Sequence, residues 1–461
     1  MRLCRLAAVA AVALLLPACA LKTPPDANAI KAESMAKVGV PVTWKAVPPV
    51  AGIVTDNWLA TFQDDPLTAA VVEAIASNPD MAVGAARVEQ AQLYAKLAGA
   101  KLYPSVDVFA KGGAKGGDAS ALQGAWLQMS WELDLWGRVR YGRAAAAADA
   151  MSAAADYEYA RQSLAALVAK SWFLATEATL QAELARKTIA DQEALVRLAE
   201  SRVQIGVGNS EDVYVARASV AGYEDALRQI ELARENAIRA LELVMGHYPA
   251  ALAKIENTLP AQPAPVPSGL PSELLERRPD VVAAERRVAA AFNRVGEAKA
   301  ARLPAIALTA GASGISSDLV VLKEHSNPVW SLGANLLAPI YHGGALKTNV
   351  EIKSAAQKEA IAAYASIGLR AFGEVESALA AEFAARDREQ ILARGLADTQ
   401  RAFDIVQTQY RVGSTDMRYV TQRQLAVNAT QAALIRMQAE QRVQRVNLHL
   451  ALGGSFEQRP H

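Results

Sequence analysis

Cysteine is nearly missing from this chain: of 461 residues only Cys4 and Cys19 carry a thiol. Cys4 falls in a leader segment, so an exported, matured chain would retain a single thiol and no internal disulfide. Aromatic residues make up only 6% of a composition that is 52% apolar and rich in alanine. That balance excludes a large aromatic core and favours long, closely packed helices. The leading apolar run, Leu6 to Leu16, is about 11 residues, too short for the roughly 20 that a membrane-spanning helix needs. Charge of one sign is also lacking: 48 Lys and Arg face 47 Asp and Glu, a net +1 that becomes about −1 once Arg2 and Arg5 leave with the leader. Without a basic excess to collect phosphates, nucleic acid is excluded as a partner. The five histidines, His247, His325, His342, His449 and His461, are scattered without metal-ligand spacing. There is no G-x-S-x-G elbow and no P-loop, because Gly206-x-Gly208 lacks the following lysine. The expectation is a protein without catalytic residues, cofactor or metal.

What is present begins with an export signal. Arg2 and Arg5 precede the apolar run, and Leu16-Pro17-Ala18-Cys19 follows it. This tetrapeptide resembles a bacterial lipobox, which would make residues 1–18 a signal peptide and Cys19 the lipidated first residue. Ala20 after the cysteine agrees with sorting to the outer membrane.

The chain then repeats itself. Pro79, Asp80, Arg87, Val88, Ala91, Ala98 and Pro104 return 200 residues later as Pro279, Asp280, Arg287, Val288, Ala291, Ala298 and Pro304. Later features echo at slightly larger offsets, with Tyr341 lying 205 after Trp136 and Gly413 lying 207 after Gly206. Repetition on this scale means one structural unit used twice around an axis. The boundaries read as an extended, Pro- and Ala-rich arm over 19–65 and a first repeat over 66–258. A Pro-rich crossover follows over 259–271, then a second repeat over 272–454 and a tail over 455–461.

Each repeat holds two short strands between long helices. The clearest strand spans Leu127 to Leu135. Leu127, Met129, Trp131, Leu133 and Leu135 alternate with Gln128, Ser130, Glu132 and Asp134. Ahead of it, Val106 and Val108 alternate with Ser105 and Asp107 before a Gly-rich turn. In the second repeat Trp330, Leu332, Ala334 and Leu336 alternate with Ser331, Gly333 and Asn335. Apolar-out, polar-in strands of 9–11 residues suit an outer-membrane barrel wall, although a soluble sheet packed on one face alternates in the same way. Four strands cannot close a barrel, and lipid tolerates no open edge, so the membrane reading requires several copies. Glu132 and Asp134 lie on one strand face and fit a wet lumen better than acid–base chemistry.

The remainder is helical. No proline interrupts Arg138 to Gln204, and Leu164, Leu167, Val168, Ser171, Leu174, Ala175 and Ala178 keep helical spacing. A helix of about 65 residues extends roughly 100 Å. Gly343 to Val412 offers its counterpart, and Gly206 and Gly413 break the two runs before helix resumes. A first helix is expected from near Pro66 towards Tyr103, ended by Pro104.

With those elements placed, the chain resembles the TolC-like outer membrane factors, and most of all their lipoprotein branch serving RND-type pumps (NodT-type). The resemblance rests on Trp131-Glu132-Leu133-Asp134-Leu135-Trp136-Gly137-Arg138, on Arg277-Arg278-Pro279-Asp280-Val281 with Ala284-Glu285, and on Leu303-Pro304. Trp58, Phe62, Asp64 and Leu67 near the start and Leu450-Ala451-Leu452-Gly453-Gly454 at the end add to it. It implies a mainly α fold with a small β part, two repeats of long antiparallel helix hairpins carrying two strands each. A homotrimer would pool twelve strands into one outer-membrane barrel and twelve helices into a periplasmic tunnel. The implied role is the exit duct of a tripartite efflux system, working with a periplasmic adaptor (membrane fusion) protein and an inner-membrane RND-type transporter. Leu127, Met129, Trp131, Leu133 and Leu135 would then face outer-membrane lipid, and Gln128, Ser130, Glu132 and Asp134 the lumen. Relatives narrow the periplasmic end with acidic rings, but here the corresponding position is Gln422, leaving Asp416 and Arg418 as the gate candidates. Both a gating pair between copies and solvated helix-start charges fit those two residues. A structural, scaffolding coiled-coil lipoprotein and the exit duct of a type I secretion system are the alternative functions.

Overall fold

The computed structural model describes residues 21–36, 40–46, 52, 54, 56–111, 123–269, 271–316 and 329–457. The leader, Cys19, the Gly-rich turn at 112–117 and residues 458–461 of the tail lie outside the described residues. The elements in order are α1 (Ala27–Met35), a 3-10 turn (Trp58–Phe62), α2 (Asp65–Ser77), α3 (Pro79–Ala100), β1 (Ser105–Lys111) and β2 (Gln123–Leu133). They continue with α4 (Arg138–Gln204), α5 (Ser210–Val244), α6 (Pro271–Arg277), α7 (Pro279–Ala300), β3 (Ala305–Ser316), β4 (Val329–Leu337), α8 (Ala345–Arg411) and α9 (Met417–Ala451). The repeat is visible in the lengths, since α4 and α8 both have 67 residues and α5 and α9 both have 35.

Three expectations need correction. The arm is not wholly extended: Asp26 accepts the Ala29 N–H and caps α1, and the 3-10 turn buries Trp58, Leu59 and Phe62. The first helix is two helices, because Asn78 is extended between them. Its amide donates to the Val244 carbonyl at 2.7 Å and accepts the Asp80 N–H at 2.8 Å, while Pro79 has no N–H with which to continue α2. The clearest strand ends at Leu133, not Leu135. Asp134 accepts the N–H groups of Val139 and Arg140 at 2.9 Å each, so its carboxylate starts α4 instead of extending β2.

The residues divide into two compact units, each drawing on both repeats. One comprises 1–39, 85–156 and 280–367 and holds the sheet. Its four strands run antiparallel in the order β1-β2-β3-β4, with Val108 opposite Leu127, Leu127 opposite Ala312 and Ala312 opposite Trp330. Indole N–H groups fasten the strand ends, Trp131 to the Leu102 carbonyl at 2.9 Å and Trp136 to the Pro304 carbonyl at 2.7 Å. Below the sheet α7 lies along α4. The Ser152 hydroxyl donates to the Ala283 carbonyl at 3.1 Å, and Arg294 and Arg287 pair with Asp149 and Asp156.

The other unit comprises 40–84, 157–279 and 368–461. Its core gathers Trp58, Phe62, Leu67, Phe173, Ile238 and Leu241, with Trp58 stacked on His449 at 5.8 Å. Residues 259–269, the irregular crossover, are held by cations from α9. Arg442 donates to the Pro260 carbonyl at 2.7 Å, and Arg445 to the Pro263 carbonyl at 3.0 Å and to Glu382 at 2.8 Å. The Glu242 carboxylate accepts the N–H groups of Ala251, Leu252 and Ala253. Burial alone would raise its pKa, but those donors outweigh burial and hold it below the ordinary carboxylate value.

Arg445 and Glu382 form a buried ion pair, with side chains 3% and 15% exposed. Removing one partner of such a pair strands the other charge, at a cost of about 3 kcal/mol or more. Glu382→Ala is therefore expected to lower the urea midpoint of the detergent-solubilised protein sharply. Glu382→Ala with Arg445→Met is expected to recover most of that loss; equal loss in the single and double variants would mean that the ion pair is not the cause.

Candidate functional site

Two places concentrate the residues singled out in the sequence. In the first, the register of all four strands gathers apolar residues on one face, with Gln123 and Ser316 at its far end. Val106 and Val108 of β1 share it with Leu127, Met129, Trp131 and Leu133 of β2. Ile306, Leu308, Ala310 and Ala312 of β3 and Trp330, Leu332, Ala334 and Leu336 of β4 complete it. The opposite face carries Asp107, Gln128, Ser130, Glu132, Thr309, Ser331 and Asn335 together with Phe109 and Trp126, whose rings stack at 5.5 Å. Many apolar-face side chains are exposed, Val106, Val108, Leu127, Trp330 and Leu332 among them, so none of the described residues covers that stretch of the face. Glu132 is tied to Arg138, whose Nε donates to it at 3.0 Å, and Leu135 stands in the turn before α4. Among the described residues, β1 and β4 each keep one edge without a strand partner.

The second place is where α4 turns into α5 and α8 into α9. Gly206 and Gly413 adopt φ of 75° and 84°, the left-handed conformation that ends a helix. Asn209 caps α5, accepting the Glu211 N–H at 3.1 Å, and Asp416 caps α9, accepting the Tyr419 N–H at 3.2 Å. Arg202, in the last turn of α4, crosses to the other hairpin. It donates to the Tyr410 carbonyl at 2.5 Å and the Arg411 carbonyl at 3.0 Å, and lies 4.8 Å over the Tyr410 ring. Asp212 accepts the Tyr410 hydroxyl and the Met417 N–H, each at 3.3 Å. Arg418 pairs with Glu211 of the same chain.

Both gate candidates thus have partners within the chain. Asp416 fills a helix cap and Arg418 an ion pair, so the Asp416–Arg418 pair imagined between copies competes with bonds already made. Sequence reading missed Arg202, Glu211, Asp212 and Tyr410, which join segments about 200 residues apart. The signal available was the position of Glu211 and Asp212 just beyond Gly206-x-Gly208, the counterpart of the turn where Asp416 and Arg418 were found.

Elsewhere, burial pushes His449 down to about 3, with the Arg445 cation adding to the effect, so the ring stays neutral. Among the described residues no group of three or more His, Cys, Asp or Glu is placed to hold a metal, and no helix is long and apolar enough to cross a membrane. The second statement leaves a β-barrel untouched.

A sheet with one bare apolar face, carried by two repeats of long helix hairpins, has relatives. The family model described as outer membrane efflux protein matches residues 70–247 and 270–454. The chain belongs to the outer membrane efflux protein family. It is 29% identical over 421 residues to the pyoverdine export outer membrane protein OpmQ of Pseudomonas aeruginosa, covering 87% of this chain and 88% of that one. To the cation efflux system protein CusC of Escherichia coli K12 it is 28% identical over 405 residues, covering 86% and 88%. Among solved structures, the outer-membrane channel OprN superposes with a TM-score of 0.80 at 25% identity, over 90% of this chain and 97% of that one. The Campylobacter jejuni CmeC outer membrane channel shares the fold, with a TM-score of 0.82 over 89% and 90%. This outer membrane efflux protein is a channel of the Gram-negative outer membrane, in a family that transports and does not catalyse.

Burial, and after it the Asp212 carboxylate, push the Tyr410 phenol up to about 12. A raised folded-state pKa means that the neutral phenol stabilises the folded channel. That contribution is complete below pH 10 and is lost as pH rises from about 10 to about 12. The ultraviolet titration of the parent minus that of Tyr410→Phe is expected to show one tyrosine with a midpoint near 12; a midpoint near 10 would place the hydroxyl in water.

Proposed function

We propose that three copies of this chain form the exit duct of a tripartite, RND-type efflux system. A periplasmic adaptor and an inner-membrane RND-type transporter deliver the exported compounds to it. The exposed apolar face of the sheet carries this reading. Leu127, Met129, Trp131 and Leu133 point at lipid in it, with Leu135 just past the strand end, while Gln128, Ser130, Glu132 and Asp134 look onto the aqueous side. Four strands per copy leave two edges that only further copies can satisfy in lipid, and twelve strands suffice for a barrel. The working divisions are the leader 1–18, the arm 19–65, the repeats 66–258 and 272–454 about the crossover 259–271, and the tail 455–461.

Cys19 carries the lipid anchor in this proposal. Two residues further on, Leu21 lies against Gly137, and the Lys22 N–H donates to the Tyr141 hydroxyl at 2.9 Å. Both contacts are at the junction of β2 and α4. Two extended residues reach about 7 Å, so an acyl chain on Cys19 would enter the membrane beside the foot of the sheet.

The turns carrying Asp416 and Arg418 form the periplasmic gate. Within each copy, Arg418–Glu211, Arg202–Tyr410 and Asp212–Tyr410 hold the two hairpin ends together, and opening requires the hairpins to part. Such partly exposed links are individually weak, at most about 1 kcal/mol for the surface ion pair. Together they bias a marginal equilibrium many-fold.

Reconstitution in planar bilayers tests the duct. The parent protein is expected to show a low resting conductance and Asp212→Ala a severalfold higher one, whereas unchanged conductance would remove these links from the gate. Leu127→Arg, midway along β2, is expected to cost about 2–4 kcal/mol per chain and so to block outer-membrane insertion. Ser130→Arg is expected to insert and to change ion selectivity. Equal recovery of both variants in the outer-membrane fraction would end the barrel reading.

A further inference from the structure

The two repeats treat one place in the helical core differently. On α4 and α5 that place is filled. Trp172, Ala175, Thr176, Ala182, Ile238 and Leu241 are all buried there, and four of them belong to the main apolar cluster. The repeat's offset of 207 carries these six positions to Leu379, Glu382, Phe383, Glu389, Arg445 and Leu448 of α8 and α9. Here the space is open. Together with residues of the crossover, from Gln262 to Val266, they line a cavity of about 650 Å³, a size at which small-molecule sites are found. The second repeat has thus exchanged an uncharged plug for a hollow with three charged residues in its wall.

Most of the inner polar groups are already engaged. Arg445 donates to Glu382 at 2.8 Å and to the Pro263 and Ala264 carbonyls, and Glu389 accepts the Gln438 amide at 3.2 Å. Charge is balanced as well, since the acids Glu382 and Glu389 in the lining are matched in number by Arg386 and Arg445. Three atoms are left over. Oε1 and Nε2 of Gln262 and Oε1 of Gln441 are sealed from solvent and have no hydrogen-bond partner among the described residues. Gln441 is only 3% exposed, and a buried amide atom without a partner is a standing cost to the fold. The last torsion of a glutamine is soft, so both amides can turn towards a guest in the cavity.

We infer that this cavity is a binding site for a neutral small molecule made of an apolar body and a primary carboxamide. That group's two N–H donors and one carbonyl match the three leftover atoms one for one. One N–H and the carbonyl pair with the Gln262 amide, as two amides pair side by side, and the second N–H reaches Oε1 of Gln441. A carboxylate offers no N–H to either glutamine oxygen, and a ketone supplies the acceptor alone. The apolar body lies against Val266, Leu379, Phe383 and Leu448, where burial of its surface drives entry. The balanced charge of the lining disfavours an ion, which would lose its hydration without a counter-charge to replace it. The site is built within one chain, goes beyond the duct reading and does not depend on it.

Equilibrium dialysis of the full chain, held in amphipol, against benzamide, 3-phenylpropanamide and 2-naphthamide tests the site. At least one of the three is expected to bind saturably, one molecule per chain, above the uptake by amphipol alone. The carboxylic acid with the same body is expected to bind at least tenfold more weakly. Leu379→Trp, which installs the residue that fills the first repeat, is expected to abolish the saturable part. Gln441→Met keeps the volume and removes the acceptor; it is expected to weaken binding at least tenfold with unchanged helical circular dichroism, and it carries the test if Leu379→Trp does not fold. If none of the three amides binds the parent saturably, or if both variants bind as the parent does, the cavity is not a ligand site. If the acid binds as tightly as the amide, the exposed Arg386 selects the ligand and the carboxamide assignment falls.

Discussion

Unpaired backbone groups at the edges of the sheet set the terms for this molecule. Among the described residues β1 and β4 each leave an edge of N–H and C=O groups without strand partners, and beside them runs a face made mostly of Val, Leu, Ile, Ala, Met and Trp. In water such a face would invite aggregation, and in lipid an open edge would leave several kcal/mol per unsatisfied group. The two demands are met together only if the sheet is both immersed and closed. One chain can arrange the immersion but not the closure. A family of outer-membrane channels is where a chain with this constraint belongs, and the repeat supplies matched edges for joining.

The long hairpins answer a different requirement. Helices of 67 residues expose a great deal of surface, and alanine at their contacts allows close approach with little side-chain entropy lost. Stability is then placed at a few points where polar groups are buried and paired. Arg445 with Glu382, Arg442 with the Pro260 carbonyl and Glu242 with three backbone N–H groups fix the irregular crossover and the segment before it. At the turns, by contrast, the links Arg418–Glu211 and Asp212–Tyr410 are partly exposed, and the side chains of Arg418 and Glu211 are mostly in solvent. The firm joints thus lie at the crossover and the softer ones at the turns between the long helices.

Periodic features could be read from the chain alone. Alternation named the alternating faces of β2, a proline-free run broken at Gly206 located α4, and the repeated Pro-Asp and Arg-Val placed α3 and α7 in equivalent positions. Features that depend on partners distant in sequence could not be read. Asp134 continued the alternating pattern, yet its carboxylate is taken by the N–H groups that begin α4. Asn78 looked like one polar residue in a long helix, and only the Val244 carbonyl explains why the chain breaks there. Arg202 carried no motif, because its meaning lies in two carbonyls more than 200 residues away. Asp416 did belong at a helix start, and in this chain it caps that helix.

Trp58 and His449 face each other inside the helical core, and neither nitrogen of the imidazole has a hydrogen-bond partner among the described residues. A neutral ring tolerates that setting and an imidazolium does not, all the less beside Arg445. The folded state therefore resists taking up a proton that the unfolded chain accepts near pH 6.5. Stability from this residue is complete above that pH and drains away as the medium acidifies towards about 3, by roughly 1.4 kcal/mol for each pH unit. This buried stack therefore sets a lower limit to the pH at which the helical core keeps its packing.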